Sequence, residues 1–139
     1  MEDLLTEPTE RLRDIYKDLE KEHVQILGMV SRARETTASA ELLPMLEELH
    51  AVLTQHFAKE TYPGGFYEAI GACTAEFRDD LRVLVDEHFR IHARLWTLIE
   101  SIRLAGESAQ DTSEAVAAVA DMLEAHERKE HKLAERLLG

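Results

Sequence analysis

Apolar residues recur every three or four positions along almost the whole chain, with hardly any β-branched alternation, so the pattern predicts helices and no strands. Prolines at 8, 44 and 63 and six glycines are the main punctuation. Thr6-Glu7-Pro8 is a cap-plus-proline start for a first helix that runs to about Glu35, where Thr36-Thr37-Ala38-Ser39 breaks the period. Pro44 belongs in the first turn of a second helix, which therefore starts near Glu41 and ends before Pro63-Gly64-Gly65. Thr74, with Glu76 just after it, opens a third helix that reaches Ala105 and stops at Gly106. Asp111 with Glu114 forms a capping box for a fourth, which continues almost to Gly139. Four helices of roughly 20 to 30 residues with short links predict an all-α, antiparallel up-down four-helix bundle. The longest link, about residues 63 to 73, is glycine-rich and aromatic.

Heptad rows show which residues face the bundle axis. In the first helix they are Leu12, Leu19, Ile26 and Tyr16, His23, Val30; in the second, Leu42, Leu49, His56 and Leu46, Leu53, Glu60. In the third they are Phe77, Leu84, Ile91, Leu98 and Leu81, His88, Leu95, Ile102; in the fourth, Val116, Leu123, Glu130, Leu137 and Val119, His126, Leu133. Apart from Tyr16, whose ring is largely apolar, the residues that break these rows are His23, His56, Glu60, His88, His126 and Glu130. At 1.5 Å per residue the four histidines fall in one layer roughly 20 to 25 Å from the end that carries the first and last links, and the two glutamates lie one turn further on. Two carboxylates buried in an apolar bundle cost several kcal/mol each unless neutralised, and a pair of multivalent cations would neutralise them.

A single core histidine is usually only hydrogen-bonded, and H-x-x-x-E is a common surface pair on helices. The conjunction is more specific. The motif occurs twice, as His56-Phe-Ala-Lys-Glu60 and His126-Glu-Arg-Lys-Glu130, each preceded by a lone inward histidine. Glu22-His23-Val-Gln-Ile26 and Glu87-His88-Phe-Arg-Ile91 also match, so the chain reads as two similar helical hairpins around a metal site. The ferritin-like alternative uses E-x-x-H, which occurs as Glu20 with His23 and Glu47 with His50, but Glu20, Glu47 and His50 lie off the inner rows. His50 and His131 read as edge or solvent residues; Tyr62 and Tyr67, just past Glu60, could reach the site through the glycine-rich link, although the structural reading is preferred for both.

At 139 residues and 15.8 kDa the chain is one domain, residues 1–139, large enough to bury a core. A net charge of −12 would repel phosphate groups, which argues against nucleic acid and anionic membrane as partners. One cysteine, Cys73, rules out an internal disulfide and Cys-rich zinc sites. The charged start MEDLLTEPTERLRDIY has no apolar segment of a secretory signal, so the expected location is the cytoplasm.

The order H…H-x-x-x-E…H…H-x-x-x-E over a helical bundle resembles the hemerythrin-like (HHE cation-binding) family in its bacterial single-domain form, from about residue 8 to 137. The resemblance implies two non-haem irons with an oxo or hydroxo bridge, bridged also by Glu60 and Glu130, with His23, His56, His88 and His126 as terminal ligands. His88-Phe-Arg-Ile-His92 has the H-x-x-x-H spacing that oxygen-carrying members use, which makes His92 a further candidate ligand. Circulating hemerythrins place an aspartate five residues after the last motif histidine, where this chain has His131. The function implied is reversible O2 binding for storage, delivery or sensing, in a water-excluding lining of Leu53, Phe57, Leu84, Ile91, Leu95 and Leu123. Two alternatives are kept: a di-iron enzyme of catalase-like or peroxidase-like type, acting on peroxide or on nitric oxide and iron-nitrosyl species, and a metal-free helical interaction module. Zinc remains open on residue chemistry alone, since nitrogen-rich ligation suits several transition metals.

Overall fold

The computed structural model describes residues 6–105 and 109–139. All of its regular elements are helices: α1 (Thr6–Glu35), α2 (Ser39–Thr61), α3 (Phe66–Cys73), α4 (Arg78–Ala105) and α5 (Ala109–Leu138). The four long helices pack as a bundle whose inside is the heptad rows: every residue of those rows is buried except Leu81 and Leu137, which are half-buried near helix ends. Near the end of α1, Arg34 reaches Asp121 at 2.6 Å early in α5, whereas Tyr16 near the start of α1 meets His131 at 2.7 Å late in α5. Late in α4, Arg103 bonds Glu47 early in α2, while His88 lies against Glu60 at the far end of α2. No described helix is long and apolar enough to cross a membrane.

Several boundaries differ from those the sequence predicts. α2 starts at Ser39, which moves Pro44 into its second turn. The proline has no N–H to offer the Ala40 carbonyl, but Ala40 is exposed and water can take that role. Thr74 caps the end of α3 in an extended conformation instead of opening the next helix. Its hydroxyl accepts the Glu76 N–H at 3.1 Å, making a local turn that delays α4 to Arg78. α5 is already helical at Ala109, so Asp111 is an interior residue and not the cap; the stop expected at Gly106 lies outside the described residues.

The aromatic link folds into α3, which packs on α1 and closes one end of the core. Gly64 takes a positive φ of 82°. At Gly65 a β-carbon would sit 2.2 Å from the Lys59 carbonyl and 2.8 Å from that of Tyr62. Only glycine lets the chain turn so tightly off the end of α2 and bring Phe66 and Tyr67 inward.

The apolar core is in two parts. One contains Ile26, Leu53, Ile91, Leu95 and Leu123; the other contains Leu12, Leu19, Phe66, Ile70, Leu84 and Leu133. On α1, α4 and α5 the polar row-breakers fall between these two sets, and on α2, whose core residues all belong to the first set, they fall at its C-terminal end. His23 lies between Leu19 and Ile26, His88 between Leu84 and Ile91, and His126 and Glu130 between Leu123 and Leu133.

Candidate metal centre

All six row-breaking residues converge in that dividing layer and all are buried. They form two groups that could each hold a metal ion: His23, His56, Glu60 and Glu130, and Glu60, His88, His126 and Glu130. Within each group one ligand atom per residue lies within 4.8 Å of all the others. Both glutamates belong to both groups. Glu60 Oε2 faces His56 Nε2 at 3.3 Å and His23 Nε2 at 3.7 Å, while its Oε1 faces His88 Nε2 at 2.9 Å and His126 Nε2 at 3.8 Å. Glu130 does the same in mirror fashion, with Oε1 3.3 Å from His23 Nε2 and Oε2 3.6 Å from His126 Nε2. Each carboxylate therefore offers one oxygen to each pair of imidazoles.

The imidazole tautomers follow from the matching Glu-His dipeptides. Glu22, beside His23 on α1, accepts from His56 Nδ1 at 3.2 Å, and Glu87, beside His88 on α4, accepts from His126 Nδ1 at 2.8 Å. Lys59 and Lys129, each one residue before a cluster glutamate, hold the other oxygen of Glu22 and Glu87. With the proton fixed on Nδ1, the Nε2 lone pairs of His56 and His126 point into the cluster, as a metal-bound histidine requires. Glu22→Ala and Glu87→Ala should each weaken metal binding by about 10- to 100-fold while the helical circular dichroism is retained. An affinity unchanged in both variants, measured by competition with a chelator, would show that these carboxylates do not orient the ligands.

The fit to cations is tested by what the protein leaves unpaired. His23 Nε2, His56 Nε2, His126 Nε2, Glu60 Oε2 and Glu130 Oε1 are buried without a hydrogen-bond partner. Buried polar atoms are nearly always satisfied, so a set of orphans aimed at shared points has the character of a site that could hold cations. Electrostatics agree. Burial and the charge of Glu60 push the Glu130 carboxyl up to about 8, whereas Glu60 itself, although buried, is held well below the usual range by the closeness of Glu130 and the surrounding histidines. Burial opposes the imidazolium of His23 and of His126, yet the close carboxylates of Glu60 and Glu130 outweigh it and raise them to about 10 and about 9. Without cations the layer must hold protons in their place. The donor set of four imidazoles and two carboxylates suits iron, zinc, nickel or copper better than magnesium or calcium.

His92 is not brought into either group. Its ring packs edge-on against Phe57 at 5.3 Å and against His50 at 5.0 Å, while the face of Phe57 is stacked on His88 at 3.9 Å. Burial and the neighbouring His50 and His88 lower its pKa. The residue that does reach His88 is Tyr67 of α3, whose hydroxyl lies 2.8 Å from His88 Nε2, 2.8 Å from Glu130 Oε2 and 3.4 Å from Glu60 Oε1. Burial and the two carboxylates raise the phenol far above its usual range, so it stands there as a protonated donor. Tyr62 is exposed, as are Glu20, Glu47 and His131.

Sequence reasoning missed Glu127. It is buried, both of its carboxyl oxygens lack partners, and burial raises it to about 7. It shares the wall of a groove of about 820 Å³ between α1 and α5 with Tyr16 and His23. The available signal was its position seven residues from both Ala120 and Ala134, a row of small buried residues where α5 lies close to its neighbours. The apolar residues expected around the site, Leu53, Phe57, Leu84, Ile91, Leu95 and Leu123, are all buried. No protein-family model matches the chain, and comparisons with curated proteins and with solved structures likewise return no match.

Proposed function

We propose that the chain is a hemerythrin-like, antiparallel up-down four-helix bundle of two similar hairpins that holds two iron ions and binds O2 reversibly, in a reducing cytoplasm consistent with its single half-buried cysteine. The observation that carries this is the bridging disposition of Glu60 and Glu130, one oxygen of each toward each histidine pair. The opposed pairings of α1 with α5 and of α2 with α4 support the bundle topology, and the repeated Glu-His and H-x-x-K-E elements support the two hairpins. His23 and His56 would serve one ion, His88 and His126 the other, and the glutamates both. Bound there, two irons supply the electrons that make uptake of a diatomic ligand reversible.

The protein's own part is to position and to exclude. Glu22 and Glu87 fix the orientation of the imidazoles. The leucines and isoleucines on both sides of the layer keep water out, which protects a reduced site from loss of electrons to solvent-borne oxidants. Tyr67 holds a proton at its hydroxyl beside both glutamates and is a donor placed to bond to a small ligand that enters the layer. The groove between α1 and α5 gives O2, or another small diatomic or peroxide, a route to His23.

A second reading, peroxide or nitric oxide chemistry at the same centre, is favoured by one observation: the groove carries a buried acid, Glu127, whose oxygens are uncommitted and free to pass a proton to a ligand that enters there. One experiment separates these readings from a metal-free helical module. Protein purified without chelator is assayed for metal, reduced anaerobically, exposed to O2 and then to vacuum, with peroxide turnover measured alongside. Roughly two irons per chain and an optical band that appears with O2 and disappears on its removal are expected. Rapid peroxide turnover with no persistent oxygenated form would transfer the function to the enzyme reading, and less than half an equivalent of any transition metal would reject both.

A further inference from the structure

The chain holds a third pair of histidines with the spacing of the two pairs in the core. His50 on α2 and His92 on α4 have ring centroids 5.0 Å apart, at 74°. The core pairs give 4.9 Å at 71° for His23 with His56, and 4.9 Å at 60° for His88 with His126. Two imidazoles that share one ion at a metal–nitrogen distance of ~2.1 Å have centroids roughly 4.5 to 5.2 Å apart for bond angles between square and tetrahedral. Both rings are half-buried, which leaves an opening to solvent. Among the described residues neither ring nitrogen of either histidine makes a hydrogen bond or an ion pair. Two imidazoles on adjacent helices, with no carboxylate bonded to either, present a nitrogen-only chelate.

We propose that His50 and His92 form a separate, peripheral site for a late first-row divalent ion, Cu²⁺, Ni²⁺ or Zn²⁺, whose remaining coordination positions are open to solvent. A nitrogen-only pair selects these ions over magnesium, calcium and manganese, and binds copper most tightly of the series. Phe57 is a wall of both sites, packing face-on against His88 and edge-on against His92. The proposal stands on the side-chain geometry at this seam and does not depend on which metal the core holds.

Trp96 is the single tryptophan of the chain, and its ring lies 5.4 Å from that of His50, so its fluorescence reports on a paramagnetic ion bound there. Protein with its core metal in place and already quantified is titrated with Cu²⁺ while Trp96 emission is followed. Quenching should saturate at one added equivalent. In His50→Gln and in His92→Gln it should require at least tenfold more Cu²⁺, with core metal content and melting temperature unchanged. Absence of quenching in the parent protein, or unchanged quenching in both variants, overturns the site. Loss of core metal in His92→Gln also overturns it, by assigning His92 to the core. Either variant alone carries the test should the other fail to fold, because losing one imidazole destroys the chelate.

Discussion

Stripping the metal from the purified protein should lower its melting temperature by about 10 °C or more. An ion held at a thousand times its dissociation constant adds ~4 kcal/mol to stability, and each kcal/mol is worth roughly 3 to 5 °C in a chain of this size. The loss should be larger at pH 9 than at pH 6.5. In the metal-free chain His23 and His126 are raised to about 10 and about 9, so the stability they contribute is complete below the ordinary histidine range and is lost as pH rises through those values. Glu130 at about 8 and Glu127 at about 7 act in the same sense, since their folded-state protons are also lost as pH rises. Glu60, held low, is fully ionised across this window and adds no slope. Metal binding runs the other way, because cations displace those protons and bind more tightly as pH rises. Scanning fluorimetry with and without chelator at the two pH values measures the gap. A melting temperature indifferent to chelation would mean that the buried layer satisfies itself.

Glu60→Gln and Glu130→Gln should each reduce total metal from roughly two equivalents to under half, whereas His23→Ala and His126→Ala should each leave about one. The amide keeps the shape of the side chain but has only one oxygen and no charge, so it cannot serve two cations at once. The oxygens of Glu60 divide between the two histidine pairs, which is why one substitution should disturb both ions. A terminal imidazole touches only one group. Elemental analysis of the four variants decides it, and the reverse order of losses would exclude bridging.

The rows from Leu12 to Leu133 were readable because period-3.6 patterning and burial are two views of one constraint. The six polar residues stood out for the same reason: each is an exception inside a row otherwise apolar. Tyr67 was legible only as one of two tyrosines that could reach the site, not as the one that does. Its place depends on an eight-residue helix, too short to show a period, and on the tight turn at Gly65. Glu127 was hidden because a charged residue in a row of alanines looks solvent-facing until the helices are packed. His92 shows the limit of spacing along one helix. H-x-x-x-H places two rings a turn apart, but the occupant beside His88 is settled by side chains from elsewhere, Tyr67 of α3 and Phe57 of α2. The partnership of Glu22 with His56 and of Glu87 with His126 runs between helices, so the matching dipeptides were visible while their job was not.

The division of the apolar core into two clusters bears on cooperativity. A bundle with one continuous core opens as a unit, whereas here a polar seam crosses α1, α4 and α5 and meets the end of α2, so that each cluster can loosen by itself. The cluster that contains α3 holds Tyr67, so partial opening at that end would withdraw the phenol from the glutamates while the opposite cluster stays packed. Ions shared by Glu60 and Glu130 would stitch the seam from both sides and make the two clusters melt as one. Occupancy of the centre would then be reported at a distance, as a change in how many independent parts the protein has.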